Sequence, residues 1–202
     1  MNLKNMRRVL IVSAVCTNLL VVLFLISTPE LGAFLSFGRS EPFSELYLLN
    51  QNHMMKGVPF NVKSGQDYLV YIGVNNHLSS SAYYEICVKF SNEDDQLPNT
   101  RTGEPSPLSS IYTQRLLIAK EQGSELPLTL SIPSISFSDN KALVNNIIIN
   151  GYDAKVDKAA TWNATDRGFY YQIFFELWLY DAMSSAFRFN NRTVGFWFNM
   201  TQ

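Results

Sequence analysis

The chain has 202 residues, a formal net charge of −1, and 47% hydrophobic and 13% aromatic side chains. That length and apolar content suffice for a packed core, while the near balance of charge excludes the basic footprint that binds nucleic acid. With two cysteines, one of them inside the first apolar run, a disulfide-stapled scaffold is excluded as well.

Residues 9–27, VLIVSAVCTNLLVVLFLIS, form a run of 19 without a charge. As a helix it would be about 28 Å long, close to the hydrocarbon thickness of a bilayer. A cleavable export signal has a shorter apolar core, closely followed by a small-x-small site. Here Thr28, Pro29 and Glu30 follow, and the first such triplet, Ser36-Phe37-Gly38, comes late, so a retained anchor is expected. Val15 stands where a lipoprotein box needs a small residue before Cys16. Asn18 weakens insertion by less than the surrounding Leu, Val, Ile and Phe favour it. Lys4, Arg7 and Arg8 precede the run, and the next basic residue is Arg39. The positive-inside bias then puts residues 1–8 in the cytoplasm, a transmembrane helix at 9–27, a juxtamembrane linker at 28–40 and an extracytoplasmic domain at 41–202. The membrane is thus the first expected partner. Leu31 to Phe37 is too short to cross again and is expected at the interface or against the exterior domain.

Of the 16 basic and 17 acidic residues, three and one precede Arg39, which leaves 13 against 16 outside. The exterior part is mildly acidic, so packing rather than charge or crosslinks must hold it together. Period-two alternation recurs along it, as in half-buried strands. SELYLLN begins the series. DYLVYIGVNN places Tyr68, Val70, Ile72 and Val74 on one face, and AYYEICVKFS places Tyr84, Ile86, Val88 and Phe90 there, with Glu85 and Lys89 opposite. NNHLSSS reads as the turn between them. Residues 92–108 are a long polar loop. IYTQRLLIAK and LPLTLSIP read as a strand pair joined by EQGSE, with Leu126, Leu128, Leu130 and Ile132 inward.

KALVNNIIIN fits two states. Asp139 as cap and Gly151 as stop favour a short helix, while its β-branched residues suit a strand; the helix is the preferred expectation. In GFYYQIFFELWLY, Tyr171, Ile173, Phe175, Leu177 and Leu179 share a face, and Tyr170, Phe174, Trp178 and Tyr180 crowd the other. Such a strand is either central and covered or faces a partner. After the DAMSS turn, TVGFWFNM closes with Val194, Phe196, Phe198 and Met200 inward. Seven or eight strands of this kind predict a mainly β domain, an immunoglobulin-like β-sandwich behind one N-terminal helix.

PFSELYLLN, VPFNVKSGQ and IGVNNHL, followed by FELWLYDAMSSAFRF and VGFWFNM, resemble in this order the archaeal "domain of unknown function 1616" group, exterior β domains that often follow a membrane helix. The resemblance covers the start of the domain and roughly its last thirty residues. It lapses at residues 92–108 and about 133–168, which read as insertions. It implies a cell-surface sandwich without assigned activity or catalytic residues.

The residues themselves point away from catalysis and from any cofactor. A blue-copper site wants a histidine just after its cysteine, but His53 and His77 both precede Cys87. Cys87 alternates with apolar neighbours and is expected to be a buried, unreactive thiol. Asn76 and His77 are expected to hydrogen-bond turn backbone rather than to bind a metal. Ser138 and Lys141 have the spacing of a serine-lysine nucleophile without its partner motifs. Glu93, Asp94 and Asp95 lack the alternation and glycine of a calcium loop, and Glu121 and Glu125 flank a turn. Asn163, Asn191 and Asn199 open glycosylation sequons, about as many as chance placement of these residue types gives. The expected function is contact: a non-catalytic surface protein binding an envelope component or another membrane protein, with Tyr170, Trp178 and Trp197 as first candidates for the partner face. The alternatives are a glycan-acting envelope enzyme using carboxylates such as Glu176, and a surface filament subunit built by strand addition.

Overall fold

The computed structural model describes residues 3–27 and 41–201. The chain divides into two compact units, at Glu41 and Pro42. The first contains one helix, α1 (Leu3–Ser27). Its described side chains are Met6, residues 11–20, Val22 and Leu23, and among the described residues no helix is long and apolar enough to cross a membrane. Two polar side chains in α1 bond back to the preceding turn: Thr17 Oγ1 donates to the Ser13 carbonyl at 2.9 Å and Asn18 Nδ2 to that of Ala14 at 2.8 Å. The linker expected at 28–40, with the Leu31 to Phe37 segment, lies outside the described residues.

The second unit is mainly β, with two sheets facing each other across a shared core. Sheet A contains β1 (Phe43–Asn50), β3 (Asp67–His77), β6 (Gln122–Ser131), β7 (Ile135–Ser138), β8 (Lys141–Ile149) and β9 (Tyr152–Thr161). Sheet B is ordered β2 (Asn61–Lys63), β11 (Ala186–Thr201), β10 (Phe169–Asp181), β4 (Ala82–Asn92) and β5 (Tyr112–Ile118). In sheet A, β8 has β9 along one edge; along the other it meets β7 at its start and β6 at its end. So β6 and β7 act as one strand broken at Pro133, a residue with no N–H to give a ladder.

Alternation decides which side chains enter the core. Val70, Ile72 and Val74 of β3 meet Tyr84, Ile86, Val88 and Phe90 of β4 there, together with Ile173, Phe175 and Leu177 of β10, as the period-two reading expects. All three strands are central, and no crosslink is needed to close the layers. The cysteines are free.

Three expectations fail. KALVNNIIIN is strand β8, not a helix: Asn150 and Gly151 both have positive φ (49° and 81°) and form the two-residue turn of the β8–β9 hairpin, closed by the Ile149–Tyr152 pair. Asn-Gly is the strongest short hairpin signal, and β-branched residues reinforce the strand. Asp139 caps no helix; it is the positive-φ residue of the β7–β8 turn. β5 and β6 are not a hairpin either, because β5 pairs with β4 in sheet B and β6 with β3 in sheet A. The β3–β4 turn is also tighter than expected, since β3 runs on through His77 and leaves residues 78–81 to reverse the chain.

Candidate functional site

The outer face of sheet B is built by register. Opposite the core-facing residues, β4 presents Tyr83, Glu85, Cys87, Lys89 and Ser91. β10 presents Gln172, Phe174, Glu176, Trp178 and Tyr180, set beside them pair by pair. The middle of this face is covered by the loop of residues 93–110. There Lys89 and Glu176, 4% and 0% exposed, form an ion pair at 2.8 Å. Lys89 Nζ also donates to the Ser106 carbonyl at 2.7 Å, and the Ser106 N–H donates to Glu176 Oε1 at 2.7 Å. Trp178 Nε1 adds a bond to Glu176 Oε2 at 3.2 Å. A buried charge pair of this kind is tolerated only when its remaining polar capacity is satisfied, and here one loop residue closes both sides. Ser106 is itself held by its Oγ, which donates to the Gln96 carbonyl at 2.7 Å. Phe174 is buried on the same face, and Gly195 lies opposite it on β11. Cys87 is buried as well, and burial pushes its thiol up, away from the reactive thiolate.

One turn of pleat further on, the same face opens. Leu117, Tyr83, Tyr180 and Phe187 lie in one cross-strand row, contributed by β5, β4, β10 and β11. Tyr83 packs against Phe187 and Tyr180 with ring centroids 5.3 and 6.0 Å apart. Leu117 is 72% exposed, and Tyr83 and Tyr180 are 38% exposed each. In the next row Arg115 is paired with Glu85 at 2.6 Å, and its guanidinium sits 4.9 Å from the Phe187 ring centre. Trp178 and Phe189 adjoin it, with rings 5.9 Å apart. At the β10–β11 turn beyond, Met183 stands free at 98% exposure.

The three expected contact residues are therefore not together. Trp178 belongs to this aromatic patch. Tyr170 lies at the far end of β10, its ring 6.2 Å from the exposed Phe60 and its hydroxyl donating to the Asp166 carbonyl at 2.7 Å. Trp197 is half-buried opposite Gln172. Tyr83, Leu117 and Phe187 were missed, although the first two are legible as large residues on the polar face of strands whose other face is core.

Sheet A carries a different outer face. His77, expected to bond turn backbone, lies instead between two carboxylates: Glu121 Oε2 is 3.3 Å from Nδ1, and Glu45 Oε2 is 3.5 Å from Nε2. The bond to Glu121, then that to Glu45, raises its pKa. Glu45 is lowered, first by the Asn75 amide, which donates to it at 2.7 Å. His53 is likewise paired with Glu125 at 2.8 Å and stacks on Tyr71. The Tyr47 ring lies flat on Gly73, where any Cβ would collide with it. Asn76 does hold the turn. It is fully buried, its amide donating to the Ser80, Ile118 and Ala119 carbonyls and its oxygen accepting from Leu78 N and Tyr84 OH.

Each sequon asparagine has a local role. Asn163 Nδ2 donates to Glu93 while its oxygen accepts from Thr165 N and Asp166 N. Asn199 Oδ1 accepts the Phe169 N–H at 3.0 Å. Asn191, at positive φ, sits in the bulge that shifts the β10–β11 register, and its Oδ1 is buried without a partner. Among the described residues no group of His, Cys, Asp and Glu is arranged to hold a metal ion.

No family model and no curated protein matches the chain. Among solved structures, a β-glucosidase from Listeria innocua aligns in several forms. With gluconolactone it has a TM-score of 0.42 at 9% identity, over 82% of this chain. With glucose the score is 0.38 at 6% over 82%, and with isofagomine 0.37 at 8% over 81%. This chain spans 17% of the length of those chains. A likeness so distant says nothing of activity.

Proposed function

We propose that this chain is a non-catalytic, single-pass surface protein whose exterior β-sandwich binds an envelope component or serves as an accessory subunit of a membrane complex. The observation that carries the reading is the row Leu117, Tyr83 and Tyr180, exposed around the half-buried Phe187 at one end of a sheet whose middle the chain itself covers. Contact surfaces favour aromatic residues with an arginine among them, as Arg115 stands here. Glu176 supports the non-catalytic side of the reading: it is fully buried, and both its oxygens are occupied by Lys89, Ser106 and Trp178.

The anchor rests on the uncharged run at 9–27 inside one continuous helix, and on Thr17 and Asn18, each of which turns a side-chain donor back onto a carbonyl of the same helix, as suits a lipid environment. The positive-inside bias places the sandwich outside the cell membrane. An immunoglobulin-like class is supported by topology. β1, β3 and β6 follow the A, B and E positions, and β4, β10 and β11 the C, F and G positions. Tyr171, near the start of β10, ties the layers together by donating to the Ala142 carbonyl of β8 at 2.6 Å, and burial pushes its hydroxyl up to about 12. The archaeal exterior-domain resemblance fits this placement, its motifs falling on β1, β2, β3, β10 and β11.

The test is the size of the native protein after mild detergent extraction, compared with that of a Tyr83→Ser, Leu117→Ser, Phe187→Ser triple variant. A larger species that the triple variant loses is expected. A strictly monomeric native protein overturns the reading.

A further inference from the structure

The flank of the sandwich between β5 and β6 is not zipped shut. β5 ends its sheet, and β6 pairs with β8 only at Leu130 and Ser131. Further along that edge of β6 one side chain takes the place of a strand. Asn150 Oδ1 accepts the Thr129 N–H at 2.8 Å, and its Nδ2 donates to the Pro127 carbonyl at 3.3 Å. Behind this gap lies a cavity of about 220 Å³. Its floor is Ile72, Ile86, Val88, Leu128 and Phe175, all buried and all apolar. Tyr112, Gln114 and Asn150 stand at its mouth, and no charged side chain lines it. The lip continues into an open hollow shared by Tyr112 and Tyr152, whose rings are 6.3 Å apart.

Protein interiors are close-packed, and voids much larger than a water molecule are few. An apolar cavity of about 150 Å³ stays dry and takes up benzene, so by proportion this one holds about nine carbons. It has no room for the two chains of a bilayer lipid. The uncharged lining excludes an ionised body. At the mouth the Tyr112 hydroxyl donates to Gln114 Oε1 and Gln114 Nε2 to the Arg115 carbonyl, each at 3.3 Å, so what is left for one neutral head group is the hydroxyl's lone pairs and the second amide N–H of Gln114 and of Asn150. We propose that the cavity binds a small neutral amphiphile, its alkyl chain inserted between the sheets and its hydroxyl or carbonyl head at the mouth. The site lies on the inner face of sheet B, so it stands or falls independently of the aromatic row on the outer face.

The experiment is a titration of the full chain in lipid nanodiscs, methyl-labelled at Ile, Leu and Val, with straight-chain alkanols from butanol to dodecanol. Saturable shifts are expected at the methyls of Ile72, Ile86, Val88 and Leu128, while those of Ile147, elsewhere in the core, stay in place. Affinity should rise with each added carbon up to about nine and then level off. Val88→Phe should abolish the shifts by filling the floor. Gln114→Trp, on the exposed mouth, should weaken nonanol binding at least about tenfold without touching the core. The proposal is overturned if no alkanol moves the floor methyls, or if Gln114→Trp binds nonanol as the parent does; that surface variant decides even where Val88→Phe does not fold.

Discussion

The outer side of β10 runs through two regions that treat side chains in opposite ways. Around Glu176 the chain buries a lysine and a carboxylate and seals them with Ser106. A few residues on, around Tyr180, it leaves aromatic rings and Leu117 in water. The usual partition is inverted at both places. The difference teaches that the covered half is finished by the chain's own loop, whereas the open half has apolar surface that no other described residue covers. On the proposed reading, the first is architecture and the second is the face left for a partner.

Breaking the covered half should have the largest effect. Lys89→Met leaves Glu176 as an uncompensated buried charge and should cost about 3–5 kcal/mol in denaturant unfolding. A change below about 1 kcal/mol would mean that the loop opens freely to water there. Gly195→Ala is next, because its Cβ would come within 2.6 Å of Phe174 Cβ and 2.7 Å of the Ile173 carbonyl. A loss of about 1–3 kcal/mol is expected, read as a lower unfolding midpoint. In the open half, Leu117→Ser should change stability by no more than about 0.5 kcal/mol while still weakening partner contact. An equal loss of stability from Leu117→Ser and Gly195→Ala would erase the contrast between the halves.

The smallest effect belongs to the other sheet. The folded state raises the pKa of His77 through Glu121 and Glu45, so its contribution to stability is complete below the ordinary histidine value and is lost as pH rises through the elevated one. Proton NMR should give a His77 midpoint above the ordinary value, and Glu121→Gln should move it down. A midpoint that ignores that substitution would assign the pairing to Glu45 alone.

The strands of the core were legible because alternation reports burial directly: Val70, Ile72 and Val74, or Tyr171, Ile173 and Phe175, needed no partner to be placed inward. Period two says which face a residue occupies, not which strand lies beside it, and for that reason β5 and β6 were wrongly joined across the EQGSE turn. The β8–β9 hairpin was hidden by reading Gly151 as a helix stop and neglecting Asn150 before it. Lys89 was rightly put on the face opposite the core, but its burial was not legible, since nothing local announces that Ser106 will fold over it. The aromatic patch was half visible for the same reason: Trp178 is in the strand that drew attention, while Tyr83, Leu117 and Phe187 come from three others.

The parallel pairing of β2 with the end of β11 sets a schedule for biosynthesis. Val62 cannot meet Met200, nor can β4 acquire β10 beside it, until those distant later strands have been synthesised. Translation proceeds at about 5–20 residues per second, so the early strands wait several seconds with their edges bare. Pairing across such sequence separations is slow and leaves edges exposed meanwhile, so the two layers close late and together.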